Sequence, residues 1–167
     1  MKKVIIGLFL ISSAYLLMST KNEVILIPKE AIRLRVIANS DSIKDQIEKH
    51  RLIESIENII NDIESKSNNL EESRNLIKKS IPDINEKIES FNLKAKISYG
   101  MNYFPEKVYK NTMYEEGNYE SLVIEIGQGY GENWWCVLFP PLCMMENKNL
   151  EEYDYSLYVK NIIDKYL

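Results

Sequence analysis

Histidine is almost missing from this chain: His50 is the only one in 167 residues. That leaves little room for histidine-based metal sites or catalytic triads. Cysteine is scarce too. Two, Cys136 and Cys143, are too few for a disulfide scaffold. There is no basic excess: 21 Lys and Arg stand against 25 Asp and Glu, for a net charge of −4. A general nucleic-acid binder needs a basic face, so that class starts at a disadvantage. There is no internal repeat and no low-complexity tract. What is present is ordinary globular composition, 45% apolar and 28% charged. The length suits one compact domain, or one domain plus a targeting segment.

The N-terminus supplies the targeting segment. Lys2 and Lys3 precede an apolar run from Val4 to Met18, broken only by Gly7, Ser12 and Ser13. A basic start and a short apolar core describe a secretory signal over residues 1–20. The run is short for a membrane span, which wants about 20 apolar residues. Ser12 and Ala14 offer an imperfect cleavage site, so release and tethering both stay open. Cleavage would remove Lys2 and Lys3 and leave the exported part more acidic, a poor match to an anionic membrane. Membrane contact is therefore expected only through the uncleaved segment.

Residues 21–30 read as a linker, and 31–167 as one α+β domain. Ile32, Leu34 and Val36 alternate with Arg33 and Arg35, the period of a strand over 31–38. Asn39-Ser40-Asp41-Ser42 follows, and Ser42 with Asp45 approximates a capping box. Ile56, Ile59, Ile60 and Ile63 form one stripe of a helix from Ile43 to about Glu64. Asn69 with Glu72 caps a second helix. Pro82 is costly inside a helix, so the spacing predicts an end near Lys79 and a third helix from Pro82. The period then switches to two at Leu93, Ala95, Ile97 and Tyr99. A tyrosine-rich loop is expected at 100–105, strands at 108–114 and 119–126, and a turn at 127–131. Three glycines at 127, 129 and 131 do not make a phosphate loop, because a strand and not a helix follows. Trp134 to Phe139 reads as a strand buried on both faces, ended by Pro140-Pro141. Asp154 to Tyr166 reads as a closing helix. The expected fold is a mostly antiparallel or mixed sheet packed with three to four helices.

Few constellations carry chemistry. Cys136 and Cys143 flank the proline bend; they are either a local disulfide or two buried thiols. Zinc would need two more ligands, and the neighbours Trp135 and Val137 cannot activate a thiol. His50, between Lys49 and Arg51, is expected on a solvent-facing side. Trp134 and Trp135 point to opposite sheet faces, at least one of them into the core and the other either covered or an anchor. Asn102, Tyr103 and Phe104 form an aromatic cluster that serves either as a contact surface or as a lid over the core. The many helix carboxylates are interspersed with Lys and Arg, as on a solvated face. Glu120 and Glu125 fall on opposite sides of one strand, and no carboxylate pair stands out as acid and base.

Three blocks together carry a family resemblance: Ile32-Arg-Leu-Arg-Val-Ile-Ala-Asn-Ser-Asp41, Tyr99-Gly-Met-Asn-Tyr-Phe-Pro105, and Asn133-Trp-Trp-Cys-Val-Leu-Phe-Pro-Pro-Leu-Cys143. In this order and spacing they resemble the stage II sporulation protein R family of endospore-forming bacteria. The resemblance implies a protein made in the forespore and exported into the space between forespore and mother-cell membranes. Its implied partner is stage II sporulation protein GA, a membrane-embedded aspartic protease that processes pro-sigma-E. It implies a signal, not a catalyst, with no cofactor and no metal. The matched positions expected to contact the partner are Asn102, Tyr103, Phe104, Asn133, Trp134 and Trp135. Two competing readings are an exported cell-wall or carbohydrate-acting enzyme, with Trp134 or Trp135 as a stacking platform, and a membrane-tethered structural protein.

Overall fold

A computed structural model describes residues 24–110, 112–143 and 152–167. The expected signal segment, 1–20, lies outside the described residues. The elements run β1 (Ile25–Leu26), β2 (Ile32–Ile37), α1 (Ile43–Lys66), α2 (Leu70–Ser90), β3 (Ala95–Phe104), β4 (Lys107–Tyr109), β5 (Thr112–Tyr114), β6 (Gly117–Ile126), β7 (Asn133–Phe139) and α3 (Glu152–Tyr166). This is one α+β domain. Its main sheet has the order β3-β6-β2-β7, and a smaller one the order β1-β5-β4. The main sheet is mixed: β2 pairs parallel with β6 and antiparallel with β7, and β3 pairs antiparallel with β6.

Both long helices lie on one face of the main sheet. Leu52, Ile56, Ile60 and Ile63 of α1 and Ile77, Ile84 and Ile88 of α2 share a core with Leu34, Val36, Leu122 and Ile124. The caps form as the sequence dictates. Ser42 Oγ accepts the Asp45 N–H at 3.2 Å, and Asn69 Oδ1 accepts the Glu72 N–H at 2.9 Å. The Glu72 carboxylate reaches back to the Asn68 N–H at 2.9 Å.

Four expectations are corrected. Pro82 lies inside one continuous helix, α2. An interior proline costs about 3 kcal/mol. Ile77, Ile84 and Ile88 are buried on both sides of it, each contributing about 1.5–3 kcal/mol, so packing outweighs the lost hydrogen bond. The stretch 100–105, expected as a loop, is strand up to Phe104, paired residue by residue with β6. Its Tyr and Phe are good strand formers, and Phe104 is fully buried. The strand expected at 108–114 is instead a hairpin of β4 and β5. The stretch expected as a linker contains β1, which pairs with β5, and Ile27 joins a second core with Tyr114, Val137, Tyr155 and Val159.

The block Ala38-Asn39-Ser40-Asp41 is a latch between the end of β2, the start of α1 and the glycine turn. Asn39 Oδ1 accepts the Gln128 N–H at 3.0 Å and Asp41 Oδ1 the Glu132 N–H at 2.7 Å. Gly131 N–H donates to Ala38 O at 2.9 Å. The Asp45 carboxylate accepts from the Ser40 hydroxyl and the Asn39 amide, which hold it below the usual carboxylate range. Lys49, expected beside His50 on the polar side, is buried, and its Nζ donates to Glu132 O at 3.1 Å. His50 itself is exposed.

Candidate functional site

The face of the main sheet opposite α1 and α2 carries most of the expected contact residues. Phe104, Tyr119 and Trp135 form a small buried cluster there. The Phe104 ring meets Trp135 edge-on at 5.3 Å and Tyr119 at 6.3 Å. Arg33 lies beneath them, only 1% exposed, its guanidinium 3.4 Å from the centre of the Tyr119 ring and 5.5 Å from that of Tyr114. Among the described residues, none of its nitrogens has a hydrogen-bond acceptor. Ring faces take the place of carboxylates as its partners. Burial pulls Arg33 below its ordinary value, against the opposing effect of Tyr119 and Tyr114.

The six expected contact residues divide into three groups. Phe104 and Trp135 are packing residues of this cluster, at 0% and 7% exposure, and present no free aromatic surface. Asn102 and Asn133 are positioning residues. Asn102 Nδ2 donates to Ser121 Oγ at 3.0 Å and to Gly100 O at 3.1 Å, which ties β3 to β6. Asn133 Oδ1 accepts from Arg35 Nε at 3.2 Å. Only Tyr103 is widely exposed, and its neighbour Met101 is exposed with it. Trp134 is on the helix face, half-buried, lining a surface cavity with His50, Ile53, Glu54 and Cys143. The expected site is therefore not one patch: Trp134 is on one face and Trp135 on the other. Cys136 and Cys143 form a disulfide beside the Trp134 cavity.

Sequence reading missed two arrangements. Arg33 and Arg35 alternate with apolar residues, as on a solvated strand face, yet the β4–β5 hairpin covers Arg33. Glu120 sits on the helix face. Its carboxylate accepts from Arg74 Nη2 at 2.9 Å and from the Tyr99 hydroxyl at 2.6 Å. Glu125 is on the other face, as the spacing required. Arg74, then Tyr99, hold Glu120 below the usual glutamate range against the effect of burial. A depressed carboxylate stabilises the fold above its unfolded value, and that contribution disappears as pH falls through its folded value. Stability should therefore drop as pH falls below 4.5, the ordinary value for the group. Thermal melts should show a shallower acid slope for Glu120→Gln than for the parent chain.

Comparison with known proteins follows this geometry. The family model described as stage II sporulation protein R matches residues 28–149, which include all three sequence blocks. A curated relative, stage II sporulation protein R of Bacillus subtilis (strain 168), is 36% identical over 139 residues. The match covers 79% of this chain and 62% of the relative. No solved structure matches the chain. The matched span takes in the main sheet, the latch and the buried aromatic face, and the chain belongs to the stage II sporulation protein R family.

Proposed function

We propose that this chain is an exported sporulation signal. It is made in the forespore and acts in the space between the forespore and mother-cell membranes. There it activates a membrane-embedded aspartic protease, stage II sporulation protein GA, which processes pro-sigma-E. It works by binding and not by catalysis. The observation that carries this reading is the family match over residues 28–149. The basic, apolar N-terminus supports export. The exposed pair Met101 and Tyr103, on a strand paired along its length with β6, supports a contact role. A partner switches the protease only by binding its active state better than its inactive one. Moving it from mostly off to mostly on takes about 5 kcal/mol of differential affinity.

Reconstitution tests this. The full chain is expressed in a non-sporulating host with the protease and a tagged pro-sigma-E. The expected result is a size shift of the tagged factor on a gel that requires this chain. Exported, folded protein with a competent protease and no shift would overturn the proposal.

A further inference from the structure

The small sheet has an outer face that is apolar in every strand. Val108 of β4 stands opposite Met113 of β5, and Met113 stands opposite Leu26 of β1. Cross-strand partners share a face, so the three side chains form one row about 10 Å wide. Their neighbours along each strand turn the other way. Ile25, Tyr109 and Tyr114 join the second core, Thr112 is buried, and Lys107 Nζ lies 5.0 Å from the centre of the Trp135 ring. The outer row therefore holds no polar side chain. Val108 is 61% exposed and Leu26 47%, and Val24, two residues before Leu26, is 55% exposed. A solvated sheet face ordinarily alternates to polar residues. The inner side of the small sheet meets Trp135 and Arg33, on the main-sheet face opposite α1 and α2. Its outer face thus points away from both long helices.

The chain upstream selects the occupant. The apolar run ends at Met18, and Ser19-Thr20-Lys21-Asn22-Glu23 joins it to Val24. That connection spans at most about 20 Å. With the run embedded in a bilayer, β1 is held at the bilayer surface with its apolar side exposed. We infer that the outer face of the small sheet rests on the membrane that holds the N-terminal segment. The contact is apolar and not electrostatic. The charges at the strand ends, Lys29, Glu30, Glu106, Lys110, Glu115 and Glu116, are two cations against four carboxylates, so anionic lipid gains nothing. A second copy is a poor occupant: three or four side chains fall far short of the roughly 20–30 residues a side in a stable protein interface. The patch is also too small to hold a free domain on lipid. On a short tether its local concentration reaches the order of millimolar, so a weak contact is occupied. Seated in this way, the domain presents α1 and α2 away from the anchoring membrane. The inference rests on the N-terminal run staying in the bilayer; it goes beyond the protease reading and does not depend on it.

The test reconstitutes the full chain, N-terminal segment included, into phosphatidylcholine vesicles that contain a nitroxide-bearing lipid. An environment-sensitive fluorophore is attached at Val108→Cys, or at Ile47→Cys on α1 as the control. Cys136 and Cys143 are paired and buried, so the probe goes to the added cysteine. The expected result is that the lipid nitroxide quenches the probe at position 108 at least about fivefold more than the probe at position 47. Leu26→Glu, across the row from the probe, separates contact from mere nearness. It should bring quenching at position 108 down to the control level at an unchanged melting temperature, because the site is exposed, while Leu26→Met keeps the quenching. Equal quenching at the two positions, or quenching that survives Leu26→Glu or that requires added anionic phosphatidylglycerol, overturns the inference. So does a probe at position 108 that is shielded from aqueous iodide without being quenched by lipid, which identifies a second copy as the occupant. A folded chain that washes off the vesicles has no embedded segment, and that also overturns it. None of these outcomes alters the pro-sigma-E size shift, which tests the protease reading separately.

Discussion

Phe104→Ala should cost about 3–5 kcal/mol of folding stability, and Trp135→Ala a similar amount. Phe104 is fully buried, with Trp135 and Tyr119 on its flanks and the Arg33 guanidinium 5.3 Å from its ring centre. Removing the ring opens a cavity and strips a buried cation of one of the faces that offset its lost hydration. Trp135 also carries Lys107 Nζ at 5.0 Å and Arg35 at 6.0 Å from its ring. Thermal melts should fall by about 10 °C or more for each variant. Tyr103→Ala, on the exposed neighbour of Phe104, should stay within about 0.5 kcal/mol of the parent. A Phe104→Ala chain that melts with the parent would show that the aromatic cluster is not a packing unit. The contrast matters for any signalling assay. Loss of signal in Phe104 or Trp135 variants would report unfolding, whereas loss in a Tyr103 variant would report contact.

Gly131→Ala is the second large effect. A methyl group there would sit inside contact distance of the Ser40 carbonyl oxygen and 2.9 Å from the Ala38 Cβ. Neither neighbour can retreat easily. Ala38 O accepts the Gly131 N–H at 2.9 Å, and Ser40 O accepts from Gln46 Nε2 at 2.9 Å. The added methyl must break the latch or push β2 away from the turn. The expected loss is about 2–4 kcal/mol, read as a lower urea midpoint with an unchanged slope. Tyr130→Ala, in the same turn but 80% exposed, should be nearly silent. Equal midpoints for Gly131→Ala and the parent would mean the close approach is not maintained in solution.

The sequence was informative where one residue's chemistry decides local structure. Ser42 and Asn69 mark helix starts because each side chain accepts a specific backbone N–H. Ile56, Ile60 and Ile63 reveal their face because the helical period leaves no alternative. Pro82 misled because its local cost is outweighed by isoleucines on either side, which a local rule does not count. Arg33 misled for a related reason. Alternation separates the two faces of β2 but does not say whether the second is covered by water or by a hairpin some 75 residues further along. The candidate site inherits that ambiguity. Phe104 and Trp135 look like anchors in sequence and prove to be core.

The position of β2 has a consequence for the order in which the chain can acquire structure. β2 is the central pairing strand and is made early, but both its neighbours, β6 and β7, come from the last third of the chain. Contacts of such long sequence separation form slowly. For a polypeptide threaded through a narrow pore with its N-terminus leading, the main sheet cannot close until Phe139 has come through. Residues 31–104 would wait on the far side as a helical hairpin and two unpaired strands. The fold thus resists premature closure: its central strand waits for partners supplied by the last third of the chain.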